Sequence, residues 1–233
     1  MRSINIIILI IMKNKNVYPW IVVALLWVVA LLNYMDRQML STMQEAMKVD
    51  IVELNKAEAF GALMAVFLWI YGFMSPINRK WLVVGSLFVW SGVTYLMGYA
   101  DNFHELYWLR AVMGVSEALY IPSALSLIAD WHQGKSRSLA IGVHMTGLYV
   151  GQAIGGFGAT VAAIFSWHTT FHWFGIVGMI YSVVLIFLLR ENPDRMIAEQ
   201  LSSAAGKEKR PSLFGGLSML FSTWAFWIIL FYF

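Results

Sequence analysis

The sequence predicts an all-α membrane protein, a bundle of six spanning helices followed by the start of a seventh. Three observations predict it. The chain is 60% hydrophobic and only 12% charged, with a mean hydropathy of +0.67. Apolar runs of about 20 residues, the length that crosses a hydrocarbon core, recur from end to end. The runs are continuous rather than alternating, which selects helices over a β-barrel.

Each element follows in order. Residues 1–17 read as a cytoplasmic extension. Within it Ile4–Met12 is apolar but too short to span, and no small-residue cleavage site follows. Met12 is a candidate start. Residues 18–190 hold six spans: Tyr18–Thr42, Ala57–Ile77, Trp81–Ala100, Leu106–Asp130, Arg137–Phe165 and Thr170–Leu189. Residues 191–214 form a cytoplasmic linker with Pro193, Pro211 and the basic tract Lys207–Arg210. Residues 215–233 begin a seventh span that reaches Phe233 without a flanking polar residue, so the chain is expected to end inside a span.

Basic residues set the orientation, because cytoplasmic segments carry excess Lys and Arg. With the N-terminus inside, Arg2, Lys13, Lys15, Arg79, Lys80, Lys135, Arg137, Arg190, Arg195, Lys207, Lys209 and Arg210 are cytoplasmic. Only Lys48 and Lys56 fall outside. Twelve against two places a multi-pass protein in a plasma (inner) membrane with a cytoplasmic N-terminus. The same asymmetry accounts for the net charge of +3, so no nucleic-acid partner is needed. There is no cysteine, hence no disulfide or thiol chemistry. His168 and His172 have the i, i+4 spacing of metal ligands but lack an evident third, so no metal is expected. No zinc-protease helix or nucleophile elbow is present, so an enzyme is not expected either.

Four ionisable residues contradict the apolar rule: Asp36 and Arg37 in the first span, Arg110 and Glu117 in the fourth. Each charge at mid-membrane costs about 2.5–3.5 kcal/mol and is kept when it faces a polar cavity, a partner or a transported ion. At about 1.5 Å of rise per residue, Asp36 and Arg110 come to nearly the same level, with Glu117 about two turns deeper. The duller alternatives are snorkelling for Arg37 and Arg110 and a static Arg110–Glu117 pair.

These residues carry a resemblance. Asn33-Tyr34-Met35-Asp36-Arg37-Gln38 resembles the first helix of major facilitator superfamily transporters, nearest to the organic anion:proton symporters and the Spinster-like proteins. Arg110-Ala111-Val112-Met113-Gly114-Val115-Ser116-Glu117 resembles the Arg-x6-Glu of their fourth helix. Asp130 and Arg137 resemble the cytoplasmic turn that follows. The resemblance implies the N-terminal six-helix half of that fold, a 3+3 repeat, with a C-terminal half missing. It implies a substrate and proton site with substrate binding by Arg37 and Arg110, proton coupling by Glu117 and Asp36, and cytoplasmic gating by Arg79, Lys80, Asp130 and Arg137; Gln152 and Tyr71 are further substrate-binding candidates on their own chemistry. The proton is then the coupling ion and no other cofactor is implied.

The sequence departs from the family in two places. The loop between helices two and three keeps only Asn78-Arg79-Lys80, the tail of the usual Gly-x-x-x-Asp-Arg-x-Gly-Arg-Arg/Lys pattern. Gly147-Leu148-Tyr149-Val150-Gly151-Gln152-Ala153-Ile154-Gly155-Gly156 resembles the antiporter motif, but Gln152 replaces its kinking proline. Gln152 is open to two readings, substrate contact or an interhelical hydrogen bond, and Tyr71 to ligand contact or packing. The glycines at four-residue spacing let helices approach closely.

The expected mechanism uses the guanidinium's two-point fit to a carboxylate. Burial favours a neutral carboxyl and a nearby guanidinium favours the carboxylate, so Glu117 can change protonation as its distance from Arg110 changes. The expected activity is proton-coupled transport of a small organic anion such as a sugar acid across the lipid bilayer. The alternatives are a Spinster-like exporter of lysolipids or other amphiphiles, and a half-transporter remnant that moves nothing.

Overall fold

The computed structural model describes residues 17–56, 58–59, 61–62, 79–197 and 222. Contacts divide the chain into two compact units, Met1–Asn192 and Pro193–Phe233. In the second, the described residues include a short helical stretch at 193–197. Every described element of the first is a helix: α1 Tyr18–Thr42, α2 Gln44–Asp50, a 3-10 turn Val52–Asn55, α3 Arg79–Met97, α4 Phe103–Trp131, α5 Lys135–Gly155, α6 Gly158–Phe165 and α7 Trp167–Leu188. The predicted span Ala57–Ile77, with Tyr71, lies outside the described residues except at 58–59 and 61–62. The predicted seventh span lies outside them except for Ser222.

Local chemistry explains where the helices begin. Pro19 sits in the first turn of α1, where its missing N–H costs nothing. Asn102 caps α4 by accepting from Glu105 N at 2.9 Å, and Glu105 Oε2 reaches back to Asp101 N at 3.1 Å. Ser166 caps α7 by accepting from Thr169 N at 3.2 Å, in the left-handed region at φ 68°. These caps start α4 and α7 three residues before the apolar runs suggest.

Among the described residues four helices, α1, α3, α4 and α7, are long and apolar enough to cross a membrane. The predicted fifth span Arg137–Phe165 is not one straight helix: α5 and α6 form a pair bent by 44°. The break falls after Gly155 and Gly156, and Thr42 Oγ1 donates to Gly155 O at 3.1 Å, satisfying a carbonyl that the broken ladder leaves open.

Small residues set the packing. A methyl group on Gly151 would lie 2.2 Å from Leu31 O, and one on Gly155 2.6 Å from Met35 O, so α1 and α5 touch backbone to backbone. On the other side α3 packs on both α4 and α7. Trp90 meets Tyr120 edge-on at 5.5 Å, and Gly175 and Gly178 admit Tyr95 and Ser91. Tyr120 Oη donates to Leu26 O at 2.8 Å, joining α4 to α1 through the core.

At one end of the bundle Arg79 at the start of α3 pairs with Asp130 at the end of α4. Lys80 Nζ donates to Ile186 O at 2.9 Å, and its backbone N donates to Glu191 Oε1 at 3.1 Å. Asn192 Nδ2 donates to Asp130 O at 2.6 Å. Arg137 stands apart on the exposed first turn of α5 and joins none of these bonds. At the other end Asp50 accepts from Trp167 Nε1 at 2.7 Å, and His168 Nε2 lies 3.5 Å from the same oxygen.

Candidate functional site

Asp36 and Arg37 are consecutive, so the helix turns their side chains about 100° apart. Arg37 faces α4. Its Nε donates to Glu117 Oε2 at 2.6 Å, and the Tyr34 ring lies under its guanidinium, 5.0 Å from Cζ. Glu117 is fully buried, while the Arg37 side chain remains 21% exposed. The pair therefore has a closed acidic end and a partly open basic end. A short bond of this kind gives the buried Glu117 a partner and spares it from standing alone.

Asp36 turns the other way, toward α3. Its Oδ2 accepts from Thr94 Oγ1 at 2.9 Å, and its Oδ1 is buried without a hydrogen-bond partner. A small cavity opens beside it, lined by Leu32, Met35, Trp90, Ser91, Thr94, Phe174 and Gly178. Arg110 is buried on α4 and donates from Nη1 to Met113 Sδ at 2.8 Å. It lies within electrostatic range of Glu117, Asp36 and Arg37. All four charges thus meet in one polar cluster between α1, α3 and α4.

The sequence reading placed Glu117 against Arg110. In the structure its hydrogen bond comes from Arg37, with Arg110 in electrostatic range of both. The difference is one of side-chain reach: helix rise counts backbone levels only, whereas Arg37 extends a long side chain to Glu117 across the α1–α4 interface. Gln152 is exposed on α5, and its side chain makes no hydrogen bond to the charged residues. Two participants were not anticipated, Tyr34 and Thr94. Tyr34 is three residues before Arg37, a spacing that puts both on one face, and that signal was available. Asn33 is fully buried one turn before Arg37, and neither end of its amide has a hydrogen-bond partner. His144 on α5 is also buried with both ring nitrogens unbonded, beside Tyr120 at 6.1 Å. Among the described residues no group of three or more acidic, His or Cys side chains could hold a metal ion.

This arrangement can hold an anion at the open guanidinium and a proton at the carboxyls. A guanidinium released from Glu117 presents a planar fork of donors to a carboxylate ligand. A carboxyl that gives up that bond must take a proton or remain buried as an uncompensated charge.

The chain is 27% identical over 210 residues to the probable galactarate/D-glucarate transporter GarP of Escherichia coli strain K12, covering 81% of this chain and 46% of that protein. It is 28% identical over 232 residues to protein spinster homolog 1 of Xenopus laevis, covering 91% of this chain and 43% of that protein. The chain thus spans less than half the length of these relatives. Among solved structures, a bacterial homolog of the human lysosomal transporter Spinster, inward-facing and unoccupied, matches with a TM-score of 0.64 at 23% identity. The match covers 76% of this chain and 44% of that one. The sequence profile of the Major Facilitator Superfamily matches residues 26–233, and the chain belongs to that superfamily.

Proposed function

We propose that this chain is the first half of a secondary active transporter that couples proton movement to a small organic anion, a sugar acid being the leading substrate class. The observation that carries the reading is the buried Glu117 held by the partly open Arg37. A substrate carboxylate competes with Glu117 for the Arg37 guanidinium, and the released Glu117 takes a proton rather than stay charged in a dry site. Substrate and proton then enter together, which lowers the charge that rocking of the two halves must carry. Arg110 and Gln152 serve the substrate's remaining polar groups, with Tyr71 from the second span. Asp36 is the second proton site. No bond of the substrate is made or broken, so the role is transport rather than catalysis.

A second six-helix half completes the cavity, and the lipid bilayer surrounds both. The relatives' names support the substrate class, galactarate and D-glucarate in one case and D-galactonate in another. The test is counterflow of labelled galactonate in proteoliposomes, with the chain extended by a six-helix second half. Saturable galactonate exchange supports the reading. Exchange of lysolipid but not galactonate assigns the chain to the amphiphile exporters, and exchange of neither makes it a non-transporting remnant.

Arg79, Lys80 and Asp130 belong to the inner, cytoplasmic end in this reading, with Arg137 on the same side. They hold α3, α4 and the segment after α7 together as one gate-bearing block. Because the chain has no cysteine, single cysteines report the orientation without background. Asn55→Cys is expected to react with an impermeant thiol reagent added outside intact cells. Lys135→Cys is expected to react only after permeabilisation. The reverse pattern would overturn both the cytoplasmic N-terminus and the placement of the gate.

A further inference from the structure

We infer that the proton reaches Asp36 along the seam between α3 and α7, by a route separate from the Arg37 side where the substrate enters. The inference rests on the reading above that Asp36 takes a proton during transport, and adds the path. The observations that carry it begin at the carboxylate. Asp36 Oδ1 is buried, has no hydrogen-bond partner and borders a cavity whose other polar groups are Ser91 and Thr94. Thr94 already bonds the second oxygen, at 2.9 Å. Thr94 Oγ1 also lies 2.9 Å from Trp90 O, so this hydroxyl sits between a carboxylate and a carbonyl and can turn its proton from one to the other.

The seam continues outward in the same direction. Ser91 sits against Gly178, where a methyl group would come 2.1 Å from its Oγ, and Gly175 meets Tyr95 one turn further out. His172 then lies with its ring 5.0 Å from Tyr95 and 4.3 Å from Tyr99, whose hydroxyls are 3.0 Å apart. His172 Nε2 is buried and without a partner. Exposure grades along the line, from exposed Tyr99 through half-buried Tyr95 and His172 to buried Ser91, Thr94 and Asp36. A line of polar groups that is exposed at one end and ends on an unsatisfied carboxylate oxygen offers a proton a route, since buried polar atoms otherwise find partners.

The charged surroundings keep the two paths apart. Arg37, Glu117 and Arg110 face Asp36 from α1 and α4, all on the substrate side. At the outer mouth the titratable groups are His168, beside His172 on α7, and Asp50, 3.5 Å from His168 Nε2. Among the described residues no guanidinium lines the seam, so an anion finds no counter-charge there.

The experiment follows the Asp36 carboxyl by infrared difference spectroscopy in liposomes of the full chain after a step in external pH. The Asp36 signal is the component that Asp36→Asn removes. In Thr94→Val, Ser91→Ala and His172→Phe the protonation rate is expected to fall about tenfold, equal to about 1.4 kcal/mol of added barrier. Thr94→Ser, which restores the hydroxyl, is expected to recover the rate, and Ser86→Ala, a hydroxyl on α3 outside the line, to leave it unchanged. His172→Phe alters only a half-buried ring at the mouth, so a folding defect in the buried variants does not remove the test. A titrating Asp36 whose rate is indifferent to all three substitutions overturns the route alone. An Asp36 signal that responds to sodium and not to pH overturns the route and Asp36's role in proton coupling together.

Discussion

Arg37→Ala is expected to destabilise the bundle by about 3 kcal/mol, the lower end of the range for breaking a buried ion pair by removing one partner. The cost arises at the residue left behind. Glu117 is fully buried, and its Oε2 loses the 2.6 Å bond that compensates its charge. The lower end applies because Arg110 stands in electrostatic range of Glu117 and takes over part of the work. Adding Glu117→Gln to Arg37→Ala is expected to recover most of the loss, since the neutral amide needs no counter-charge. A double-mutant cycle by denaturant unfolding in mixed micelles, followed by helical circular dichroism, measures the coupling. Additive effects of the two substitutions would show that the pair does not act as a unit.

Gly151→Val carries the second large effect. A methyl group at this position would lie 2.2 Å from Leu31 O and 2.9 Å from Leu31 C, both backbone atoms that cannot turn aside. The α1–α5 seam must open, at a cost of about 3 kcal/mol, the upper end for overpacking. Gly142 on the same helix has nothing within 4 Å of the equivalent position. Gly142→Ala is therefore expected to be neutral, or stabilising by about 0.5–1 kcal/mol through reduced backbone freedom. Equal effects at the two glycines would mean that helix propensity, not the close approach of α1, governs this seam.

The sequence announced much of this through simple rules. The bounds of α1 coincide with the apolar run Tyr18–Thr42, because hydrophobic length alone sets a spanning helix. The glycines of α5 announced a close neighbour, and Gly147, Gly151 and Gly155 all meet α1 backbone. They did not announce the bend into α6, because four-residue spacing describes one face of a helix and not where its ladder breaks. The four membrane charges stood out by type, yet their pairing did not, since Arg37 and Glu117 are joined by side-chain reach across an interface. Thr94, Asn33 and His144 were silent. A single polar residue in an apolar run has no periodicity, and only the packed neighbours reveal that it is buried beside a carboxylate or left without a partner.

The central claim is that Glu117 exchanges a proton for its bond to Arg37 when substrate binds. It is tested most directly by Glu117→Gln in the chain extended by a second half. Counterflow and proton-driven uptake of galactonate are measured side by side in proteoliposomes. The amide mimics the protonated acid and cannot release a proton, so the account predicts retained counterflow with accumulation abolished. Accumulation at the unsubstituted level would contradict it and remove Glu117 as the coupling carboxylate.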